Sequence, residues 1–390
     1  MSLPLDQLVP RLRPHSSTIF GEMSALATKL GAINLGQGFP DTDGPEEIKQ
    51  AAIRAISEGR GNQYPPAHGV PELRQAIAAH QKRFYGIDID WETQVVVGTG
   101  AAEIIQSALL ALVDTDDEVL IFEPWFDIYQ VAVDMARGKS VGIPLSGPDM
   151  RPDFDFMRQA ITPRSKVVVL NSPHNPSGIV FTREELQELA AIAIEHNLIV
   201  ISDEAYEHLW YDGHPHLPIS TLPGMFERTL TVGSAGKSFS FTGWKVGWAT
   251  GPTDLIAANR VVRQHLSYVS SGPFQWAIAE GLVLPDKYWE NFRHDLQHKR
   301  DVFSNGLKSL GFDVIDSQGT YFVTTNVQSM GYTDGITFCQ ELPVKAGVVA
   351  IPHSALCGNP KIGAPFVRWA FCKQVPVLEA ALERLQKINA

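Results

Sequence analysis

Apolar positions in the first two thirds of the chain come in short, β-branched runs, each closed by polar residues, Gly or Pro. They are TQVVVGTG (93–100), DEVLIFEP (117–124), SKVVVLNSP (165–173), LIVISDE (198–204) and RTLTVGS (228–234). Between several of them the period becomes helical, as in AAEIIQSALLALV (101–113) and TREELQELAAIAIEHN (182–197). Runs that are continuously apolar, not alternating, predict strands covered on both faces. The expected class is therefore α/β, with a mostly parallel sheet.

From about residue 290 the pattern changes. FRHDLQHKRDVFSNGLKSLG (292–311) reads as a long amphipathic helix, GTYFVTTNV (319–327) and GVVAIPHSAL (347–356) as strands, and VPVLEAALERLQKIN (375–389) as a closing helix. This predicts a smaller α+β domain. The extended, Gly-rich AINLGQGFPD (32–41) is expected to cross to it. A chain of 390 residues suits two domains. The expected division is a large domain at 45–290, with 1–44 and 291–390 forming the small one.

Charge and composition narrow the function classes. The formal net charge is −11 and no long basic run occurs, which argues against nucleic acid as a partner. No apolar stretch is long enough to span a bilayer, and the first 20 residues lack a signal-peptide core. Cys339, Cys357 and Cys372 match neither a disulfide framework nor CxxC, so a reducing cytoplasm is expected.

Ligands of such sheets bind beyond the carboxyl ends of the strands. VVVGTGAAE begins like a dinucleotide site, but Glu103 stands where a small residue is needed. What survives is a helix start at Gly100, Ala101 and Ala102 whose N–H groups can hold a phosphate. NSPHNPSG (171–178) either forms a plain turn or aims Asn175 rigidly into a cleft. Asp203 ends an apolar strand, as a helix cap or as partner to a buried cationic ring nitrogen; Tyr206 follows three residues on. Trp125 and Phe126 offer core packing or a stacking platform. In TVGSAGKSFSFTGWKVGW (231–248), Lys237 and Lys245 belong to a solvated loop or divide two tasks. In the second case one lysine is nucleophilic and the other holds an anion near Ser234. Arg368, inside an apolar run, clamps a carboxylate or makes a structural salt bridge. The cluster of His208, His214 and His216 reads as an exposed hairpin, with no metal expected.

Together these loops resemble the class I aminotransferases that use pyridoxal 5′-phosphate. NLGQGFPDTDGP, NQYPPAHGVPELRQAI, NSPHNPSG, SDEAYEHLWYDG and GSAGKSFSFTGWKVGW are similar to the methionine and kynurenine (glutamine transaminase K-like) branch. The resemblance covers nearly the whole chain. It implies a fold type I transferase and a homodimer with shared active sites. By this resemblance Lys237 bonds to the cofactor and moves the substrate proton. Asp203 faces the ring nitrogen, Asn175 and Tyr206 face the ring 3-oxygen, and Phe126 stacks on the ring, with Trp125 the alternative. Ser234, Lys245, Gly100, Ala101 and Ala102 form the phosphate cradle, with Tyr64 reaching it from the other subunit. Arg368 clamps the substrate carboxylate, helped by Asn175 and the backbone near Gly38, and Phe20 flanks the side chain. Two departures stand out. Lys245 is the phosphate cation where many members have Arg, and Ala102 replaces a Thr.

The implied reaction moves the amino group of a large uncharged L-amino acid to a 2-oxo acid by a ping-pong route. Methionine, glutamine, phenylalanine, tryptophan and kynurenine are the candidate donors. A cysteine-conjugate β-lyase on the same cofactor and a non-catalytic sensor are the alternatives.

Overall fold

A computed structural model describes residues 7–388. The tip of the N-terminal segment (1–6) and the end of the closing helical pattern (389–390) lie outside the described residues. All five expected strands form. They belong to one eight-stranded sheet, ordered Val95–Thr99, Val246–Thr250, Thr229–Ser234, Ile199–Asp203, Ser165–Asn171, Glu118–Glu123, Lys139–Ser146, Arg151–Pro152. Val246–Thr250 and Arg151–Pro152 run against the rest. Alternate residues of the central strands serve opposite faces, both buried. Leu120, Phe122, Val168, Leu170 and Val200 join one apolar cluster, and Val119, Ile121, Val167, Val169 and Ile201 another. That double burial is why the runs read as continuously apolar.

The helix Arg183–Glu195 shows how local sequence sets an element. Thr182 and Glu185 form a reciprocal capping box, contributing on the order of 1 kcal/mol. Leu186, Leu189 and Ala193 then recur on the buried face.

The smaller part holds a four-stranded antiparallel sheet, ordered Asp313–Ile315, Phe322–Asn326, Phe366–Ala370, Ile351–Pro352. Its core includes Phe303, Phe312, Phe338, Trp369 and Leu378, with Met23 and Ala27 from the helix Ile19–Leu30. Ile33–Asn34 pairs in parallel with Val348–Val349, and Ala370 N–H donates to Leu35 O at 2.7 Å. The segment 347–356, expected as one strand, changes partner midway. Val348–Val349 pairs with the N-terminal segment, Ile351–Pro352 pairs with Phe366–Ala370, and a 3-10 turn follows at His353–Leu356. Pro352 has no N–H to extend a ladder.

The long helix spans Asp286–Ser309. It belongs to both parts: Trp289 packs in the cluster beside Val97 and Trp248, while Leu296, Phe303 and Leu307 pack in the smaller core.

Candidate active site

The carboxyl ends of the large sheet and the N-terminal segment enclose a cavity of about 330 Å³, roofed by the smaller sheet. Gly100, Ala101 and Ala102 open the helix Gly100–Leu112, whose first N–H groups have no intrahelical acceptor. Gly247 in the adjacent strand makes room for that helix start, because a Cβ there would strike the Ala101 nitrogen. Lys245 is held at φ 56°, and its Nζ lies 3.1 Å from where a Gly100 Cβ would be. Ser234 lines the same end. A helix dipole, a hydroxyl and an ammonium together are the chemistry that suits an anion.

Asp203 is buried on the cavity floor. Its Oδ2 accepts from the Tyr129 hydroxyl at 2.6 Å and its Oδ1 from Ala205 N–H at 3.1 Å. No helix follows Asp203 to be capped: residues 205–208 form a turn, which the Ala205 bond closes, and the carboxyl lines the cavity. Burial raises its carboxyl above the usual range, opposed by those two hydrogen bonds and by Lys237. Asn171 fastens the neighbouring loop: its Nδ2 donates to Asp203 O at 2.8 Å and its Oδ1 accepts from Asn175 N–H at 2.7 Å. Asn175 then presents Oδ1 to the Arg368 guanidinium at 2.9 Å.

Arg368 enters from the strand Phe366–Ala370 and also donates to Gly36 O at 2.5 Å. Both partners are uncharged. The guanidinium lies 4.1 Å from the Phe322 ring centre and 4.9 Å from that of Phe20. Its buried Nε has no hydrogen-bond partner, which leaves a donor for a carboxylate.

The Lys237 amine donates to the Tyr321 hydroxyl at 2.7 Å and to Gly38 O at 3.3 Å. Burial, assisted by the charges of Arg368 and Lys245, pulls it down to about 8 from its ordinary 10.5; Cys372 and Asp203 oppose the shift. Tyr206 lines the cavity with its ring edge-on to Tyr321, and burial pushes its phenol up. Phe126 lines the cavity, whereas Trp125 is buried in the core with its backbone N–H donating to Leu356 O. Tyr64 is not brought to this cavity. It is 81% exposed, edge-on to Tyr268 on the outer surface. The sequence reading passed over Tyr129, Asn171, Phe322 and Tyr321. Only Asn171, inside the Asn/Pro-rich loop, carried a local signal.

The histidine cluster is not an exposed hairpin. Only His214 is exposed; His208 and His216 are buried. The Trp210–Gly319 bridge and a bond from the Tyr211 hydroxyl to Thr320 O hold the segment against the smaller part. Behind the Asp203–Tyr206 turn, His80 Nε2 and His208 Nε2 are 2.8 Å apart, Tyr85 donates to Glu207 at 2.7 Å, and His216 meets Glu204 at 2.8 Å. His80, Glu207 and His208 bring ligand atoms within 4.8 Å of one another. The His–His separation is a hydrogen bond, shorter than the roughly 3.3 Å between two nitrogens on a tetrahedral zinc.

Burial, with Glu204 adding to it, raises the Glu207 carboxyl to about 8, against the Tyr85 hydrogen bond. Unfolded, it titrates near about 4.3. Its contribution to stability is complete below that value and lost as pH rises through about 8. Glu207→Gln should keep the Tyr85 bond and flatten the fall in thermal midpoint between about pH 5 and 8. Equal slopes in the two proteins would contradict this assignment.

Residues 31–385 match the family described as aminotransferase class I and II. The chain is 48% identical over 388 residues to a Mycobacterium tuberculosis protein named "Probable N-succinyldiaminopimelate aminotransferase DapC", covering 97% of each. It is 36% identical to the methionine aminotransferase of Escherichia coli K12, over 98% of this chain and 99% of the relative. The solved structure of N-succinyldiaminopimelate aminotransferase from Mycobacterium tuberculosis superposes with a TM-score of 0.95, at 48% identity over 98% of this chain and 100% of that one. The chain belongs to the class I and II aminotransferases and is a pyridoxal phosphate-dependent enzyme.

Proposed function

We propose that the preferred amino donor is a large, uncharged L-amino acid of the methionine, glutamine, phenylalanine, tryptophan or kynurenine type, with a 2-oxo acid as acceptor. The observation that carries this is the cavity lining. Its three cations are Lys237, Lys245 and Arg368, and its other walls include Phe20, Ile105, Phe126 and Phe322. With Lys245 on the phosphate and Arg368 on the α-carboxylate, no lining cation among the described residues remains for a distal carboxylate.

The residues fit pyridoxal 5′-phosphate by their chemistry. The helix start, Ser234 and Lys245 would take its phosphate, Phe126 would face its ring, Asn175 and Tyr206 its 3-oxygen, and Lys237 its aldehyde carbon. Asp203, a buried carboxylate beside that amine, suits a cationic ring nitrogen. When bound, the cofactor supplies an electron-accepting ring that acidifies the substrate Cα–H and carries the amino group between half-reactions. The chain does the rest. Arg368 and Asn175 orient the α-carboxylate, and Lys237 in its neutral form takes the Cα proton. Asp203 would hold negative charge for the ring nitrogen, and the aromatic walls exclude water.

A second copy of the chain belongs to this reading. Tyr64 and Tyr268 form an exposed aromatic pair, with Val261 and Leu266 exposed nearby in the chain. Ser270, two residues beyond Tyr268, donates to Lys245 O at 3.5 Å. That face adjoins the cradle, so Tyr64 would reach a partner's phosphate. The three unpaired cysteines suit a reducing cytoplasm.

The likeness to the Mycobacterium tuberculosis relative favours a second reading, an N-succinylated diaminopimelate donor whose extra carboxylates take cations from the partner copy. A screen of both donor classes against 2-oxoglutarate, with kcat/KM for each, separates the two. The uncharged donors should lead by about 10-fold or more, the scale of one lost charged contact. A lead of that size for the succinylated donor would overturn the reading.

A further inference from the structure

We propose that Tyr321 is a positioning residue for the reactive amine, fixing where the Lys237 hydrogens point so that its lone pair is left free. This rests on the reading of Lys237 as the group that moves the substrate proton.

The argument is one of valence. A neutral amine has two hydrogens and one lone pair. Lys237 Nζ has two oxygens in hydrogen-bond reach, Tyr321 Oη at 2.7 Å and Gly38 O at 3.3 Å. Tyr321 directs its own proton to Gly38 O at 2.5 Å, so toward Lys237 it presents a lone pair. Both amine hydrogens are thereby engaged. A base whose hydrogens are tied down does not rotate its lone pair away from the proton it must take.

A second observation is independent of that triangle. Thr320, the residue before Tyr321, sits at φ 63°, a left-handed conformation that β-branched residues rarely adopt. Three bonds hold it there. Its N–H donates to Leu209 O at 2.9 Å, its carbonyl accepts from the Tyr211 hydroxyl at 2.5 Å, and its Oγ1 accepts from Phe322 N–H at 3.1 Å. Strain over-determined in this way marks a backbone held for the sake of a neighbouring side chain. The ring of Tyr321 also lines a separate outer cleft with Pro40, Ser240 and Tyr288. It thus stands between that cleft and the amine.

Tyr321→Phe deletes one oxygen and keeps the wall, so folding is not at stake. Two readouts test it. In cofactor-free protein, reductive methylation of Lys237, followed by peptide mass spectrometry, should show a pH midpoint near 8 in the parent. An acceptor stabilises an ammonium more than an amine. Its loss in Tyr321→Phe should therefore lower the midpoint by about 0.7 pH unit. The loaded variant should lose roughly 10- to 100-fold in kcat with KM within about two-fold, although a larger share of its lysine is neutral. The proposal is overturned by an unchanged midpoint, whether or not kcat falls, or by an unchanged kcat. A parent midpoint near the ordinary 10.5 would instead undo the reading of Lys237 itself.

Discussion

Lys237→Ala should lose at least about 10⁴-fold in kcat, the upper range for a general base, while keeping its fold. The variant loses the amine that would anchor the cofactor and take the Cα proton. No other amine replaces it: the second lysine of the cavity, Lys245, stands at the anion cradle beside Gly100. Among the described residues the native amine bonds to Tyr321 and Gly38 O, which already bond to each other. Near-parental circular dichroism is therefore expected alongside the kinetic collapse. Small added amines such as methylamine should restore part of the lost rate, by supplying a base in the vacated volume. Turnover within ten-fold of the parent would remove Lys237 from the mechanism.

Asp203→Asn should separate charge from shape. The substitution keeps the shape and one oxygen: that oxygen can still accept from Ala205 N–H, while the amide nitrogen must donate to the Tyr129 hydroxyl, reversing that bond. What disappears is one negative charge, 5% exposed, in the lining of the cavity. Removing a preorganised charge from a dry site should lower kcat by about 10³-fold. Stability of the cofactor-free variant should move the other way. An uncompensated buried carboxylate is costly, so the thermal midpoint should hold or rise. A kcat equal to the parent's would show that no cation is stabilised there. A large fall in midpoint would show that Asp203 holds the turn instead.

How much of this was legible in the sequence depended on burial. Five strands were readable because helices cover both sheet faces, leaving unbroken β-branched runs such as VVVL (167–170). Three strands of that sheet were not, the shortest being the two-residue edge strand Arg151–Pro152. Lys139–Ser146 lies near the edge of the sheet and carries Gly142 and Pro144, so its pattern is broken. Val246–Thr250 has five buried residues, but its tryptophan and its glycine, cut small to pass under a helix start, hide the period. Functional side chains at strand ends announced themselves through loop chemistry. Their partners did not. Tyr129 meets Asp203 across 74 positions and Tyr321 meets Lys237 across 84. No window of sequence contains either pair. The histidines misled for a related reason. Asp-Gly and two prolines mark an exposed turn correctly, but only the smaller part, arriving from residues 319–320, shows that the chain leading into it at Trp210 and Tyr211 is held in place.

The long helix Asp286–Ser309, rooted in both hydrophobic cores, couples two selections that could have been separate. The guanidinium proposed to read a carboxylate, Arg368, sits in the smaller sheet, and the amine proposed to take the α-carbon hydrogen, Lys237, follows a strand of the larger one. An amine lacking the acid group would find the reactive half but give the recognising half nothing to grip. On the proposed roles, discrimination against biogenic amines would then be a matter of architecture.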